Sequence, residues 1–308
     1  MGLKIVGLGH SLGKKLVTNE ELSKRVETSD QWITSRTGIK QRYYADNEQN
    51  SDMATEAAAS AIKNSNISTE DIGVCIICTF TPDEFTPAVA CTVAGNLGLP
   101  EDVMAFDINA ACTGFLFGLN VAKGLLENSK KKYALVVGSE HISKLLNMDD
   151  PSTSVLFGDG AGGAVVELSE ENQYGFLGGC KPDREVLHCT IENSEIKMNG
   201  KDVFRFAVDA VPKAINNLLE QENLQKEEID YFVCHQANER IISNVIKQLD
   251  QDSAKFYMNI HNYGNTSAAS IPIALSEMVE KGMLTKGKKI VCVGFGAGLT
   301  YGASLLSW

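Results

Sequence analysis

Three residues in this chain have the types and the placement to do chemistry together: Cys112, His235 and Asn265. Cys112 opens a run, Cys-Thr-Gly-Phe-Leu-Phe-Gly-Leu-Asn-Val-Ala, that is apolar nearly all round until Lys123, which predicts a buried helix with its N-terminus at the thiol. The partial positive charge of that N-terminus, with an adjacent imidazole, lowers a thiol pKa and holds a nucleophilic thiolate. His235 follows the apolar run YFVC at 231–234, at the carboxyl end of a predicted strand, where parallel sheets place their sites. Asn265 sits in NYGNTSAAS, a stretch of turn formers in which Asn also caps helices. Together a thiol, an imidazole and an amide supply one nucleophile and two hydrogen-bond donors for a developing oxyanion. The other seven cysteines, at 75, 78, 91, 180, 189, 234 and 292, are read as small packing residues. His10, His141, His188 and His261 are read as structural.

An internal repeat supplies the elements that position the three. Residues 105–139 run as an apolar strand, the thiol, a helix and a lysine-flanked strand ending at Gly138. Residues 255–294 repeat that order around Asn265 and end at Gly294, with 26 residues from Cys112 to Gly138 and 29 from Asn265 to Gly294. Each unit follows an earlier apolar run, VCIIC at 74–78 and YFVC at 231–234. Apolar, β-branched runs predict strands at 3–9, 74–80, 103–109, 133–138, 163–168, 231–234, 256–260, 290–294 and 301–306. Helical spacing predicts helices at 51–65 and 203–224. The alternation argues for an α/β protein with parallel sheets covered by helices. The irregular stretch near 169–173 is the joint between an N-terminal half, 1–168, carrying the cysteine and a C-terminal half, 169–308, carrying the histidine and the asparagine.

Bulk properties narrow the function. With 308 residues, 44% of them apolar, the chain can fill two cores. A net charge of −11 argues against nonspecific binding to nucleic acid, which needs a broad basic surface. Eight cysteines scattered mostly in apolar runs suit a reducing compartment rather than a disulfide scaffold. MGLKIVGLGHS is too short and glycine-broken for a secretory signal. The uncharged segment 290–308 contains four glycines and reads as two buried strands joined by a glycine turn, not a membrane anchor. Gly-Asp-Gly-Ala-Gly-Gly at 158–163 has dinucleotide-fingerprint spacing, but a strand-like run follows it, so it reads as a tight turn between strands. Cys75 and Cys78 lie three apart on one predicted strand and face opposite sides, which disfavours a disulfide or a shared metal.

These residues carry a family resemblance. DQWITSRTGIKQR, AACTGF, FGDGAG, HQANER, NYGNTSAAS and FGAGLTYG occur in order along nearly the whole chain, which resembles the β-ketoacyl-acyl-carrier-protein synthases III. The resemblance implies a thiolase fold: two similar βα halves in a five-layer αβαβα arrangement, usually in a homodimer. It implies a cytoplasmic enzyme that starts fatty-acid synthesis. An acyl group passes from acyl-coenzyme A to Cys112, and is then condensed with malonyl-acyl-carrier protein with loss of carbon dioxide. His235 and Asn265 then hydrogen-bond the malonyl thioester oxygen, and the backbone N–H groups of Cys112 and Ala297 form the oxyanion hole.

The remaining contacts follow from the same likeness. Trp32 and Arg36 match residues that contact the coenzyme A nucleotide, whereas Pro151 stands where some members have an arginine of the adenine clamp. Arg240, Arg205 and Lys247 match a basic patch for the acidic carrier protein. Thr86, beside Phe85, stands where acetyl-selective members have a phenylalanine reaching across the dimer to close the acyl pocket, which implies room for longer or branched primers. No metal and no permanently bound cofactor are expected; acyl-coenzyme A is substrate. The alternatives are a specialised-pathway condensing enzyme or acyltransferase of the same fold, and a non-catalytic scaffold subunit, which need not keep a nucleophile.

Overall fold

The computed structural model describes all 308 residues. The chain opens with β1 (Gly2–Leu12), then the hairpin strands β2 (Lys15–Thr18) and β3 (Gln41–Tyr44) flank α1 (Asn19–Ser23) and α2 (Asp30–Thr37). There follow α3 (Asn50–Ser65), β4 (Ile72–Cys78), α4 (Val89–Leu97), β5 (Met104–Ile108), α5 (Gly114–Leu126), β6 (Tyr133–Glu140) and β7 (Gly160–Ser169). Next come β8 (Tyr174–Asp183), a small hairpin of β9 (Leu187–Cys189) and β10 (Ile196–Met198), and α6 (Gly200–Gln221). The chain finishes with β11 (Tyr231–Cys234), α7 (Glu239–Leu249), α8 (Ile260–Tyr263), α9 (Ser270–Glu280), β12 (Lys289–Gly296) and β13 (Gly298–Ser307).

Two large sheets result, ordered β1-β7-β6-β4-β5 and β8-β13-β12-β11. The alternation of strand side chains explains why each sheet needs cover on both faces. On β4, Val74, Ile76 and Cys78 face a core shared with Val136, Val233 and Cys292, while Cys75 and Ile77 face a separate core under α3 and α4. The two cysteines of the CxxC pair therefore lie on opposite faces, as their spacing predicts. The central core is filled by α5 through Phe115, Leu116 and Leu119 and by α9 through Ile271, Ala274 and Leu275. Beyond the second sheet, α6 and α7 bury Ile215, Leu218, Ile242 and Val245 against Phe232, Val291 and Leu305. The layers run helix, sheet, helix, sheet, helix.

Four expectations need correction. The sheets are mixed rather than parallel: β4 runs parallel to β5 and β6, but β6 and β7 pair antiparallel, as do β12 and β13. Neither of those pairs has a crossover helix between its strands, so the chain simply returns. No strand forms over 256–260. The second sheet thus lacks a counterpart of β5 and keeps a single bridge between Phe232 and Phe256, because Gln236 Oε1 takes the N–H groups of Asn259 and Ile260 that a ladder would use. The glycine motif at 158–163 is not a turn between two strands: Gly160–Gly163 already belong to β7, and the preceding segment makes only a bridge from Phe157 to Asn265. Finally, three of the eight free cysteines, Cys91, Cys180 and Cys189, are exposed rather than packed.

Candidate active site

Each half builds the same turn ahead of its central helix. In the first, Asn109 Oδ1 accepts the N–H of Ala111 at 3.1 Å, Ala111 takes φ 47°, and a 3₁₀ turn over 111–113 leads into α5. In the second, Asn265 Oδ1 accepts the N–H of Ser267 at 2.9 Å, Ser267 takes φ 50°, and a 3₁₀ turn over 267–269 leads into α9. The residue matching Cys112 is therefore Ala268, 26 residues before Gly294 as Cys112 is before Gly138. Asn265 matches Asn109, three residues earlier, which accounts for the unequal 26 and 29 in the sequence repeat.

The two turns dock on the opposite sheets. A Cβ at Gly138 on β6 would overlap the Ala268 carbonyl oxygen. A Cβ at Gly294 on β12 would lie 3.6 Å from the Cys112 carbonyl oxygen and 3.6 Å from His235 Cβ. Gly294 thus stands in contact with both the thiol's residue and the imidazole's. A Cβ at Gly296 would reach within 2.8 Å of Cys112 N, so the end of β12 also lies close against the nucleophile turn. Cys112 and His235 meet at Gly294 through these contacts, Asn265 begins the turn that seats Ala268 on Gly138, and all three are buried.

Hydrogen bonds fix which atoms of each remain free. His235 N donates to Val293 O at 2.7 Å, its Nδ1 is paired with Ser270 Oγ at 2.7 Å, and its ring meets Phe295 edge-on. This leaves Nε2 for a ligand. Burial pushes the imidazole down to about 3, so it is neutral. Asn265 uses Oδ1 on Ser267, and its backbone bonds Leu156 O and Gly158 N, which leaves the Nδ2 donors unspent. Burial pushes the Cys112 thiol up to about 12, against the opposing pull of the Ser267 hydroxyl. Desolvation at this buried position thus opposes the helix-terminal field and favours the thiol form.

A cavity of about 590 Å³ opens at Cys112, with Asn109, Ser267 and Ala297 near the thiol and Phe80, Phe157 and Leu187 on its apolar walls. Ala297 is the single residue between β12 and β13. His188 and Cys189 also line this cavity. Thr86 does not line it within one chain; it is exposed in the loop before α4, beside Phe85 at 85% exposure.

Trp32, 46% exposed, and Arg36 lie on α2, which Asn238 joins to the start of α7 by a hydrogen bond from Nδ2 to Arg36 O. Arg240 and Lys247, two helical turns apart on α7, line one surface groove with Phe204. Arg205 does not join them: it is ion-paired to Asp202 at 2.9 Å and lines a different groove with Tyr301. Neighbouring residues on α6 point about 100° apart, which separates Arg205 from Phe204. Sequence reasoning missed Ser267, Ser270 and the fully buried Glu140. The Asn-x-x spacing shared by 109–112 and 265–268 was the available signal for the first.

Residues 219–308 match the family described as 3-oxoacyl-[acyl-carrier-protein (ACP)] synthase III C terminal, and residues 106–179 match 3-oxoacyl-[acyl-carrier-protein (ACP)] synthase III. A β-ketoacyl-[acyl-carrier-protein] synthase III of Clostridium acetobutylicum is 46% identical over 99% of this chain and 98% of its own length. The crystal structure of 3-oxoacyl-[acyl-carrier-protein] synthase III from Aquifex aeolicus shares the fold with a TM-score of 0.96 and 41% identity, covering 100% of both chains. The priming β-ketosynthase of the R1128 polyketide pathway follows with a TM-score of 0.95 and 31% identity, over 99% of this chain and 96% of that one.

Proposed function

The chain belongs to the 3-oxoacyl-[acyl-carrier-protein] synthase III family, and on that premise we propose how its residues divide the work. It is a thiolase-fold acyltransferase that carries out the initiating condensation of fatty-acid synthesis. Cys112 takes the acyl group from acyl-coenzyme A, giving a thioester and free coenzyme A in a ping-pong cycle. The malonyl-acyl-carrier protein then loses carbon dioxide, and His235 Nε2 and Asn265 Nδ2 donate hydrogen bonds to the thioester oxygen of the enolate that attacks. The N–H groups of Cys112 and Ala297 receive the oxyanion of the acyl-cysteine. The observation that carries this reading is that Ser270 and Ser267 occupy His235 Nδ1 and Asn265 Oδ1, which leaves one free polar end on each side chain.

Trp32 and Arg36 hold the coenzyme A nucleotide, and Arg240 with Lys247 receives the carrier protein; Arg205, already paired, contributes less. The segments 1–168 and 169–308 act as the two halves. The enzyme needs no bound cofactor beyond its acyl-coenzyme A substrate. The open edge of β5 and the exposed Phe85–Thr86 loop suit a second copy, hence a homodimer in which Thr86 reaches the neighbouring acyl pocket. No helix is long and apolar enough to cross a membrane, and eight free cysteines suit the cytoplasm.

Mass spectrometry after mixing with an acyl-coenzyme A panel tests the core of this reading. An acyl adduct on Cys112, lost in Cys112→Ala but retained in His235→Ala and Asn265→Ala variants that no longer condense, is the expected pattern. Loss of the adduct in His235→Ala as complete as in Cys112→Ala overturns the division of labour. No adduct with any donor would leave a scaffold.

A further inference from the structure

Beside the nucleophile lies a buried polar file that the chemistry above leaves idle. Glu140 ends β6 with no exposed surface. Its Oε2 accepts from Thr79 Oγ1 at 3.1 Å, Phe80 N at 3.3 Å and Thr81 Oγ1 at 2.6 Å. Its Oε1 has no partner at full hydrogen-bond geometry, and neither has Ser267 Oγ, although Ser267 is 1% exposed. An unpaired buried polar atom is destabilising, so two such atoms call for a reason. The Ser267 hydroxyl lies close enough to both the Cys112 thiol and the Glu140 carboxyl to favour the ionised form of each. It also lines the cavity at Cys112.

The backbone does not demand a serine there. The matching turn in the first half carries alanine, Ala111, at nearly the same φ, 47° against 50°. The hydroxyl is thus free to be present for its oxygen and proton. Nor is the imidazole a good acceptor for the thiol proton. Burial holds the His235 imidazole well below its ordinary value and lifts the Glu140 carboxyl well above its own, which makes the carboxylate the stronger base.

We propose that Ser267 and Glu140 form a proton relay for Cys112, taking the thiol proton as the acyl group arrives and returning it when condensation frees the sulfur. This rests on Cys112 being the acyl acceptor. In the first half-reaction the Cys112 S–H bond breaks; its proton passes to Ser267 Oγ while the Ser267 hydroxyl proton passes to Glu140 Oε1. The sulfur bonds the thioester carbonyl carbon, and coenzyme A leaves as a thiolate that water protonates. In the second, decarboxylation leaves the electron pair on the malonyl α-carbon, which bonds the acyl carbonyl carbon. The C–S bond to Cys112 breaks with its pair on sulfur, and the proton stored on Glu140 returns through Ser267. One turnover takes up one proton from water overall, as loss of a carboxylate as carbon dioxide requires.

The titratable and charged groups that face Glu140 are Cys78 from β4, Cys112 from its turn and Lys144 from the turn at 142–145. The thiols are raised by burial far above neutrality, so the form of Glu140 able to accept a proton populates as pH rises through about 8, before either thiol ionises.

Rapid-quench mass spectrometry of Cys112 acylation between pH 6 and 10 tests the relay on the full chain, comparing wild type with Ser267→Ala, Glu140→Gln and the double variant. Acylation slows about 10²-fold at pH 8 in each single variant, the final extent of adduct is unchanged, and the double variant is no slower than the slower single one. The wild-type rate rises through about pH 8; both single variants lose that rise, which a merely structural carboxyl would leave in place. Should Glu140→Gln not fold, Ser267→Ala decides alone, since Ala111 shows its backbone to be tolerated. Variants that keep the rise near 8, or a double variant whose loss is the product of the two, overturn the relay. A wild type that forms no adduct on Cys112 overturns the proposed function instead.

Discussion

Ser270→Ala removes the hydroxyl paired with His235 Nδ1 at 2.7 Å inside a site where the imidazole is 2% exposed. For Nε2 to donate to a thioester oxygen, the ring proton must sit on Nε2, and Nδ1 must then accept from the Ser270 hydroxyl. Without that hydroxyl Nδ1 is buried and unpaired, at a cost of about 1–3 kcal/mol. Nothing then holds the ring proton on Nε2 or the ring in its orientation, and the aligned Nε2 donor is lost. Loss of one oxyanion donor is worth about 10²–10³ in rate. Condensation is therefore expected to fall about 10²-fold, while acylation of Cys112, which does not use the imidazole, stays within about threefold. The melting temperature falls by roughly 2–4 °C per kcal/mol lost. The assay separates the half-reactions: quenched mass spectrometry for the acyl-enzyme, and carbon dioxide release from malonyl-carrier protein for the second step. Equal losses in both, or none in condensation, would refute the reasoning, because the tautomer matters only at the enolate.

Other perturbations bear on separate parts of the molecule. Arg240→Glu should raise the Michaelis constant for malonyl-carrier protein and weaken its salt dependence, with acylation by a small acyl-coenzyme A little changed; steady-state kinetics in a salt series check both. Thr86→Phe should shift priming from branched and medium acyl-coenzyme A toward acetyl, by about 0.8 kcal/mol for each methylene excluded, read from competing acetyl-, isobutyryl- and hexanoyl-coenzyme A; a wild type confined to acetyl contradicts this. Gly138→Ala should cost about 3 kcal/mol or more in urea unfolding, because its methyl would overlap the Ala268 carbonyl. Gly124→Ala, with nothing within 4 Å of its new methyl on an exposed helical face, should stabilise by up to about 1 kcal/mol.

The sequence made the buried strands and the long helices legible because their signals are local. VCIIC became β4, the alanine-rich 51–65 became α3, and the amphipathic 203–224 became α6, each with shifted ends. Edge elements were less readable. β8 was missed since Gly178, Gly179 and Pro182 dilute the pattern of a strand with a single buried residue. At 256–260 the apolar run was real, but Gln236, twenty residues earlier in sequence, captured the backbone donors. Cys112, His235 and Asn265 stood out by type and position. Their register, the resting protonation of Cys112, and the separation of Arg205 from Arg240 depend on burial and side-chain direction, which no local pattern encodes.

The crossed docking of the two turns has a consequence for how the molecule comes apart. The Cys112 turn is seated on a strand of the second sheet and the Ala268 turn on a strand of the first, so neither half can complete its own central layer. A chain with one half ordered and the other loose has a thiol on a frayed turn and no imidazole beside it. Partial folding therefore confers no partial activity. Denaturation should extinguish catalysis and tertiary structure in one transition, and a ligand that bridges the turns would hold both halves at once, acting as a clasp on the whole fold rather than on a local pocket.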